Sequence, residues 1–215
     1  MKKTAEELTY SISDDFEGYA DDKAILDSWG AILRNGSNAT LVNKKMAVRD
    51  NENTALKLSC VTGVHYFFHI LFTPENYKTY VAKFDISFAR DAYHKNYLGN
   101  GLIYNKTPVC WTVDARGGNT AKINISRTGN DLIPIATLNT DEWYEFEIRY
   151  TPTSSERKIE FLIDGKKVYS GNDYWLSTYG DREAPTEING LGFTSYDRGG
   201  GVGDIYLDNV ECYFE

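Results

Sequence analysis

Three strand-like runs follow one another in residues 141–171, DEWYEFEIRYTPTSSERKIEFLIDGKKVYSG, and no other stretch constrains the chain as much. From Trp143 to Tyr150 the residues alternate, with Tyr144, Phe146, Ile148 and Tyr150 on one side and Trp143, Glu145, Glu147 and Arg149 on the other. A period of two is that of a β-strand with one buried face. The polar run Thr151 to Arg157, opened by Pro152, turns the chain. Lys158 to Ile163 then alternates again with Ile159, Phe161 and Ile163 inward. Asp164-Gly165 marks a tight hairpin, because a type I′ turn needs positive φ and glycine supplies it. Lys166 to Tyr169 is the returning strand. The stretch predicts an antiparallel meander with one wet face.

The rest of the chain carries the same short-range punctuation. Leu8 to Ile12 reads as a strand, and Ala20 to Trp29, ended by Gly30, as a loop or one helical turn with Ile25, Leu26 and Trp29 at helical spacing. Ala39 to Val42, Met46 to Val48 and Thr54 to Val61 are further strands. His65 to Phe72 is the most apolar run and is expected at the centre of a sheet, with Tyr66, Phe68, Ile70 and Phe72 facing one way and His65, Phe67, His69 and Leu71 the other. Tyr80 to Phe88 places Phe84, Ile86 and Phe88 inward, and Arg90 to Gly101 reads as a loop. Gly101 to Tyr104 and Val109 to Asp114 are strands, the latter paired with Ala121 to Arg127 across Gly117-Gly118-Asn119. Asn172 to Glu187 has no periodicity, and Ile188 to Ser195 and Gly203 to Phe214 finish the chain. Many short strands, no long helix, no repeat and no linker predict one all-β domain over residues 1–215. The expected architecture is a two-sheet antiparallel β-sandwich, a jelly roll with its first and last strands side by side.

A chain of 215 residues can bury a sizeable core without disulfide staples. The net charge of -8 argues against nucleic acid as a partner, since phosphate neutralisation needs a basic face. It argues equally against an anionic membrane surface, and no apolar run reaches the ~18 residues of a membrane span. Met1-Lys2-Lys3 is followed by Thr-Ala-Glu-Glu rather than the apolar segment of a signal peptide. The chain is therefore expected to be intracellular or a mature piece of an exported protein. Cys60, Cys110 and Cys212 are odd in number and lack metal spacing, which favours buried free thiols over one disulfide plus a free thiol.

The run W-Y-E-F-E-I-R-Y, a polar turn and I-E-F-L-I-D-G-K-K-V-Y together resemble the centre of concanavalin A-like (laminin G-like) jelly-roll domains. Asp15-Phe16-Glu17-Gly18 ahead of Trp29, with Ile205-Tyr206-Leu207-Asp208-Asn209-Val210 at the end, is similar to secreted bacterial carbohydrate-binding modules. The resemblance implies a non-catalytic module that holds a plant or microbial polysaccharide, is extracellular, and is a monomer or part of a larger secreted glycan-degrading protein. In such modules a calcium ion ties the opening loop to the closing strand. The oxygen ligands it would take here are Glu17, Asp50 and Asn53 of the 50–53 loop, and Asp208. The alternative is that Asp208 caps a bulge and Glu17 pairs with a lysine.

Sugars offer apolar C–H faces ringed by hydroxyls, so a binding face needs aromatic platforms and planar polar groups. Trp29 and Trp143 lie near the resembling motifs and read as structural. Trp111 shares its strand face with Val109 and Val113, which favours the core, and it stands beside that as a candidate sugar platform. Trp175, with Tyr174 and Tyr179 in the aperiodic stretch, is the best exposed platform, and Arg198 on the following turn could supply hydrogen bonds. His65 and His69 read as polar groups on a concave face; they stand about 13 Å apart along a strand, too far to share a metal ion.

Catalysis is the runner-up. Laminarinase-like hydrolases of this fold carry E-x-D-x-x-E on one strand, and the nearest arrangement here is Glu145-x-Glu147. Its residues lie ~6.5–7 Å apart, within reach of a retaining pair; the alternative is a solvated strand face balanced by Arg149 and lysines. A polysaccharide lyase cleft is weakened by Tyr66 and His69 falling on opposite faces. The third reading is a laminin G-like adhesion domain that binds protein.

Overall fold

The computed structural model describes residues 11–29, 38–43, 54–59, 66–71, 78–99, 109–128, 131–152, 157–172, 190–195 and 203–215. In chain order the elements are β1 (Ser11–Asp14), α1 (Asp22–Trp29), β2 (Asn38–Asn43), β3 (Thr54–Ser59), β4 (Tyr66–Leu71), β5 (Tyr80–Phe88) and β6 (Tyr93–Gly99). They continue with β7 (Val109–Asp114), β8 (Thr120–Thr128), β9 (Asp131–Asn139), β10 (Trp143–Pro152), β11 (Arg157–Ile163), β12 (Lys166–Gly171), β13 (Gly190–Ser195) and β14 (Ile205–Phe214).

Two antiparallel sheets result. Among the described residues the larger has eight strands in the order β12-β11-β10-β5-β14-β3-β2, with β1 also paired to β14, and the smaller has six in the order β4-β13-β6-β7-β8-β9. The meander expected over residues 141–171 is β10, β11 and β12, turned at Asp164 and Gly165, whose φ values of 50° and 74° are those a type I′ hairpin requires. Its inward residues Phe146, Ile148, Tyr150, Ile159 and Phe161 are buried together with Phe84, Ile86 and Phe88 of β5. From the smaller sheet Trp111 and Phe193 complete the layer: Trp111 meets Phe84 at 6.1 Å and Phe161 at 6.2 Å between ring centres. This aromatic seam joins the two sheets, and its stacked and edge-on contacts are those rings prefer.

The closing strand organises the larger sheet. Along one side β14 pairs with β5. Along the other it pairs with β3 through Ile205–Leu207 and with β1 through Val210–Tyr213. The change of partner falls at a bulge, where Asn209 adopts φ 48°. First and last described strands therefore do lie side by side. Helix α1 has eight residues, more than the single turn expected, because Asp21 caps it (its Oδ1 accepts the Ala24 N–H at 2.9 Å) and Ile25 and Trp29 are buried. Trp29 Nε1 and the Tyr19 hydroxyl both donate to Asp14 Oδ2, at 2.7 and 2.5 Å, which fastens the helix to the end of β1.

Three expectations are corrected. Residues 93–99, expected as loop, form β6, whose inward positions carry His94 and Asn96 as well as Leu98, so the apolar alternation is broken by buried polar residues. β9 has no counterpart among the expected strands: it contains Pro134, which is tolerated because β9 lies at the sheet edge among the described strands. β4, expected to be central, lies at the edge of the sheet among the described strands, paired with β13. Cys110 and Cys212 are buried, and burial pushes the Cys212 thiol up to about 12. The expected strands at Met46 to Val48 and Gly101 to Tyr104, and Cys60, lie outside the described residues. Among the described residues no helix is long and apolar enough to cross a membrane.

Candidate functional site

Strand alternation and register define the face of the smaller sheet that points away from the core. Trp111 and Val113 of β7 face inward opposite Ile125 and Ile123 of β8. Thr112 and Asp114, paired with Asn124 and Lys122, therefore face outward. The same register carries Tyr93 and Lys95 of β6 onto this face, opposite Asp114 and Thr112. One row across the sheet is Tyr93, Asp114 and Lys122; the next is Lys95, Thr112 and Asn124. Thr112 and Asn124 are only 1% and 6% exposed although they point away from the core, and Asn124 Nδ2 donates to Thr112 Oγ1 at 3.1 Å. The face thus grades from a buried polar floor to a charged, exposed end.

Arg116 dominates that end. Its Nε and Nη2 donate to the two carboxylate oxygens of Asp114 at 2.8 and 2.7 Å, and its guanidinium carbon lies 4.1 Å from the centre of the Tyr93 ring. The flat ion pair is thereby stacked on an aromatic ring, an arrangement suited to arginine's planar fork. The Arg116 hydrogen bonds hold the Asp114 carboxyl below the ordinary aspartate range. The turn that carries Arg116 is itself pinned: Gly117, at φ 85°, donates its N–H to Asp91 Oδ1 at 3.2 Å, and the Ala115 N–H donates to the Ala92 carbonyl at 2.8 Å. Donors and acceptors are held here at fixed positions, which is what recognition of neighbouring hydroxyls requires.

Of the residues expected to bind sugar, Trp111 is corrected. It is 0% exposed and lies in the aromatic seam between the sheets, so it offers no face to a ligand. His69 occupies a position of β4 that the register sets opposite Gly192, which in turn lies opposite Tyr97, in a row of the smaller sheet's outer face. Trp175, Tyr174, Tyr179 and Arg198 lie outside the described residues, as do the proposed calcium ligands Asp50 and Asn53.

The other two calcium residues stand near the partner change on β14. The carboxylate of Glu17 accepts the N–H of Thr54, the first residue of β3. Asp208, 1% exposed, accepts the Asn209 N–H on Oδ1 at 2.7 Å and so caps the bulge. Asn209 Nδ2 reaches across to Asp85 Oδ2 at 2.9 Å. Among the described residues no three His, Cys, Asp or Glu side chains gather into a metal-holding group.

The runner-up catalytic pair sits on the opposite side of the molecule, on the outer face of β10. Glu145 is bonded to Lys83 at 3.0 Å and Glu147 to Arg149, which also reaches Glu215 at 2.9 Å. These are the charge-balanced strand neighbours of the alternative reading. Tyr93, Thr112, Asp114, Arg116, Lys122 and Asn124 were not anticipated as site residues. In sequence V-C-W-T-V-D and A-K-I-N-I-S look like ordinary half-wet strands; only the burial of Thr112 and Asn124 sets this face apart.

No family model matches the sequence, and no curated protein matches it. Solved structures do match in shape. A sialidase aligns over 94% of this chain at TM-score 0.64 and 12% identity, the chain spanning 18% of that protein's length. The Crh5 transglycosylase in complex with NAG aligns over 96% of this chain and 84% of its own at TM-score 0.57 and 12% identity. The carbohydrate recognition domain of Emp47p aligns over 99% of both chains at TM-score 0.50 and 8% identity. The chain has the concanavalin A-like jelly-roll fold, which carbohydrate-binding modules, lectins and glycoside hydrolases share. Identities this low establish the fold alone.

Proposed function

We propose that this chain is a non-catalytic carbohydrate-binding module that takes a polysaccharide on the outer face of its smaller sheet, outside the cell. The observation that carries this reading is the Arg116–Asp114 pair stacked on Tyr93 at the exposed end of that face. A fixed fork of donors next to a fixed carboxylate matches the alternating donor and acceptor demand of vicinal hydroxyls. The pairing of Glu145 with Lys83 and of Glu147 with Arg149 supports a binding role over hydrolysis, since both carboxylates are taken up by charged strand neighbours. Trp175, Tyr174, Tyr179, Arg198 and His69 stay in the proposal as further contacts, and calcium as a structural ion at the β14 bulge.

Affinity electrophoresis against a panel of polysaccharides tests it, with reducing ends assayed in parallel. Retention by at least one polymer without release of reducing ends is expected, and Arg116→Ala should weaken it by about 1–3 kcal/mol. Steady release of reducing ends would replace this reading with the enzyme. Retention by no polymer would remove it.

A further inference from the structure

We infer that one internal water molecule is bound between the Asn96 amide and the Trp111 indole N–H, inside the sandwich and independently of any glycan. Asn96 is 0% exposed, and neither its Nδ2 nor its Oδ1 has a hydrogen-bond partner among the described residues. Trp111 Nε1 is buried and equally without one among them. β6 turns two polar residues inward, and they differ in this respect. His94 meets the Gly203 carbonyl at 3.2 Å, whereas no described protein group answers Asn96.

Strand register brings these groups together. Asn96 lies directly opposite Trp111 of β7 on one side and Phe193 of β13 on the other. Residues opposite each other have Cβ atoms ~5 Å apart, so the amide and the indole are side by side. Trp111 and Phe193 stand two strand spacings apart, ~9.5 Å, yet their ring centres are 6.3 Å apart and edge-on. Both also meet Phe84, at 6.1 and 5.4 Å. The two rings therefore lean together over the shorter asparagine, which leaves its amide under an aromatic roof. Ring faces accept only a weak bond from an amide N–H, and they offer nothing to a carbonyl oxygen. A water molecule supplies what both groups need: it accepts the Nε1 hydrogen and donates one of its own to Oδ1. Immobilising one water costs less than burying an amide and an indole N–H unbonded, and internal waters occur at such groups.

A crystal structure of the unmodified protein that resolves ordered solvent tests this directly. One peak within hydrogen-bond distance of both Trp111 Nε1 and the Asn96 amide is expected. An amide turned straight onto the indole N–H, or side chains in contact with no density between them, would overturn the inference. In solution, rotating-frame NMR should show a dipolar cross-peak between the Trp111 indole proton and water, and Asn96→Leu should abolish it. A cross-peak that survives in the folded Asn96→Leu variant would place the water elsewhere and overturn the bridge, as would its absence from the unmodified protein.

Discussion

His94 Nε2 donates to the backbone carbonyl of Gly203 at 3.2 Å, inside the sandwich and 109 residues away along the chain. The imidazole is buried, and burial pushes its pKa down from 6.5 to about 4, the Gly203 bond and the charge of Asp204 opposing that change. The folded state thus binds this proton less readily than the unfolded state. Stability from His94 is complete above pH 6.5, falls as pH drops toward 4, and levels off below that. The loss should reach roughly 3 kcal/mol, since every tenfold difference in proton affinity between the two states is worth about 1.4 kcal/mol. Urea unfolding of the protein and of His94→Gln at pH 7.5 and 4.5 checks it: the variant should show a shallower fall, and equal slopes would mean that His94 titrates normally in the fold.

Gly203 is confined as tightly as the histidine that it binds. A Cβ there would stand 2.2 Å from the Ala92 backbone nitrogen, and backbone cannot step aside as a flexible side chain can. Gly203→Ala should cost at least the ~1–3 kcal/mol of an overpacked core site. Because the Ala92 carbonyl also anchors Ala115, the change should loosen the Arg116 turn and weaken glycan retention, which Gly18→Ala, with open space around its Cβ, should not. Melting temperature and affinity measured on the two variants decide this.

Trp111 and Trp175 should respond in opposite ways to truncation. Trp111→Ala empties the seam between the sheets and should lower stability by ~3–5 kcal/mol. Trp175→Ala should lower affinity for polysaccharide by ~1–3 kcal/mol and leave the melting temperature nearly unchanged. A large fall in melting temperature for Trp175→Ala would assign that indole to packing.

For calcium, chelator should lower the melting temperature, and Asp208→Ala should abolish that response. Restoring the ion at 100 times its dissociation constant should add ~2.7 kcal/mol. An unchanged melting point after confirmed metal removal would withdraw the ion and leave Asp208 as the cap of the bulge.

The meander over residues 141–171 was legible because its local signals agree: alternation, a Gly turn and aromatic inward residues all point one way. β6 was not, since His94 and Asn96 occupy inward positions where the pattern demands apolar side chains. β4 was misplaced because its run of large apolar residues suggests cover on both sides, whereas sheet order depends on distant partners such as β13 that no local pattern encodes. The candidate face was hidden for a similar reason. Lys122, Asn124 and Ser126 alternate with isoleucines as any wet strand does, and Arg116 meets Tyr93 only once the turn of residues 115–119 folds over β6.

The pairing of β1 with β14 sets how the molecule would bear load. Ser11 lies opposite Tyr213 and Asp14 opposite Val210, so the outward ends of both strands emerge at one end of their ladder. Tension drawing those two ends apart pulls across the hydrogen bonds rather than along the strands, and it reaches them one pair at a time. β1 would peel from Ser11 inward at low force, until the strain arrived at Asp14 and the Trp29 and Tyr19 bonds that hold it. A chain stretched between a surface and a moving body would yield first at that strand, with the smaller sheet still folded behind it.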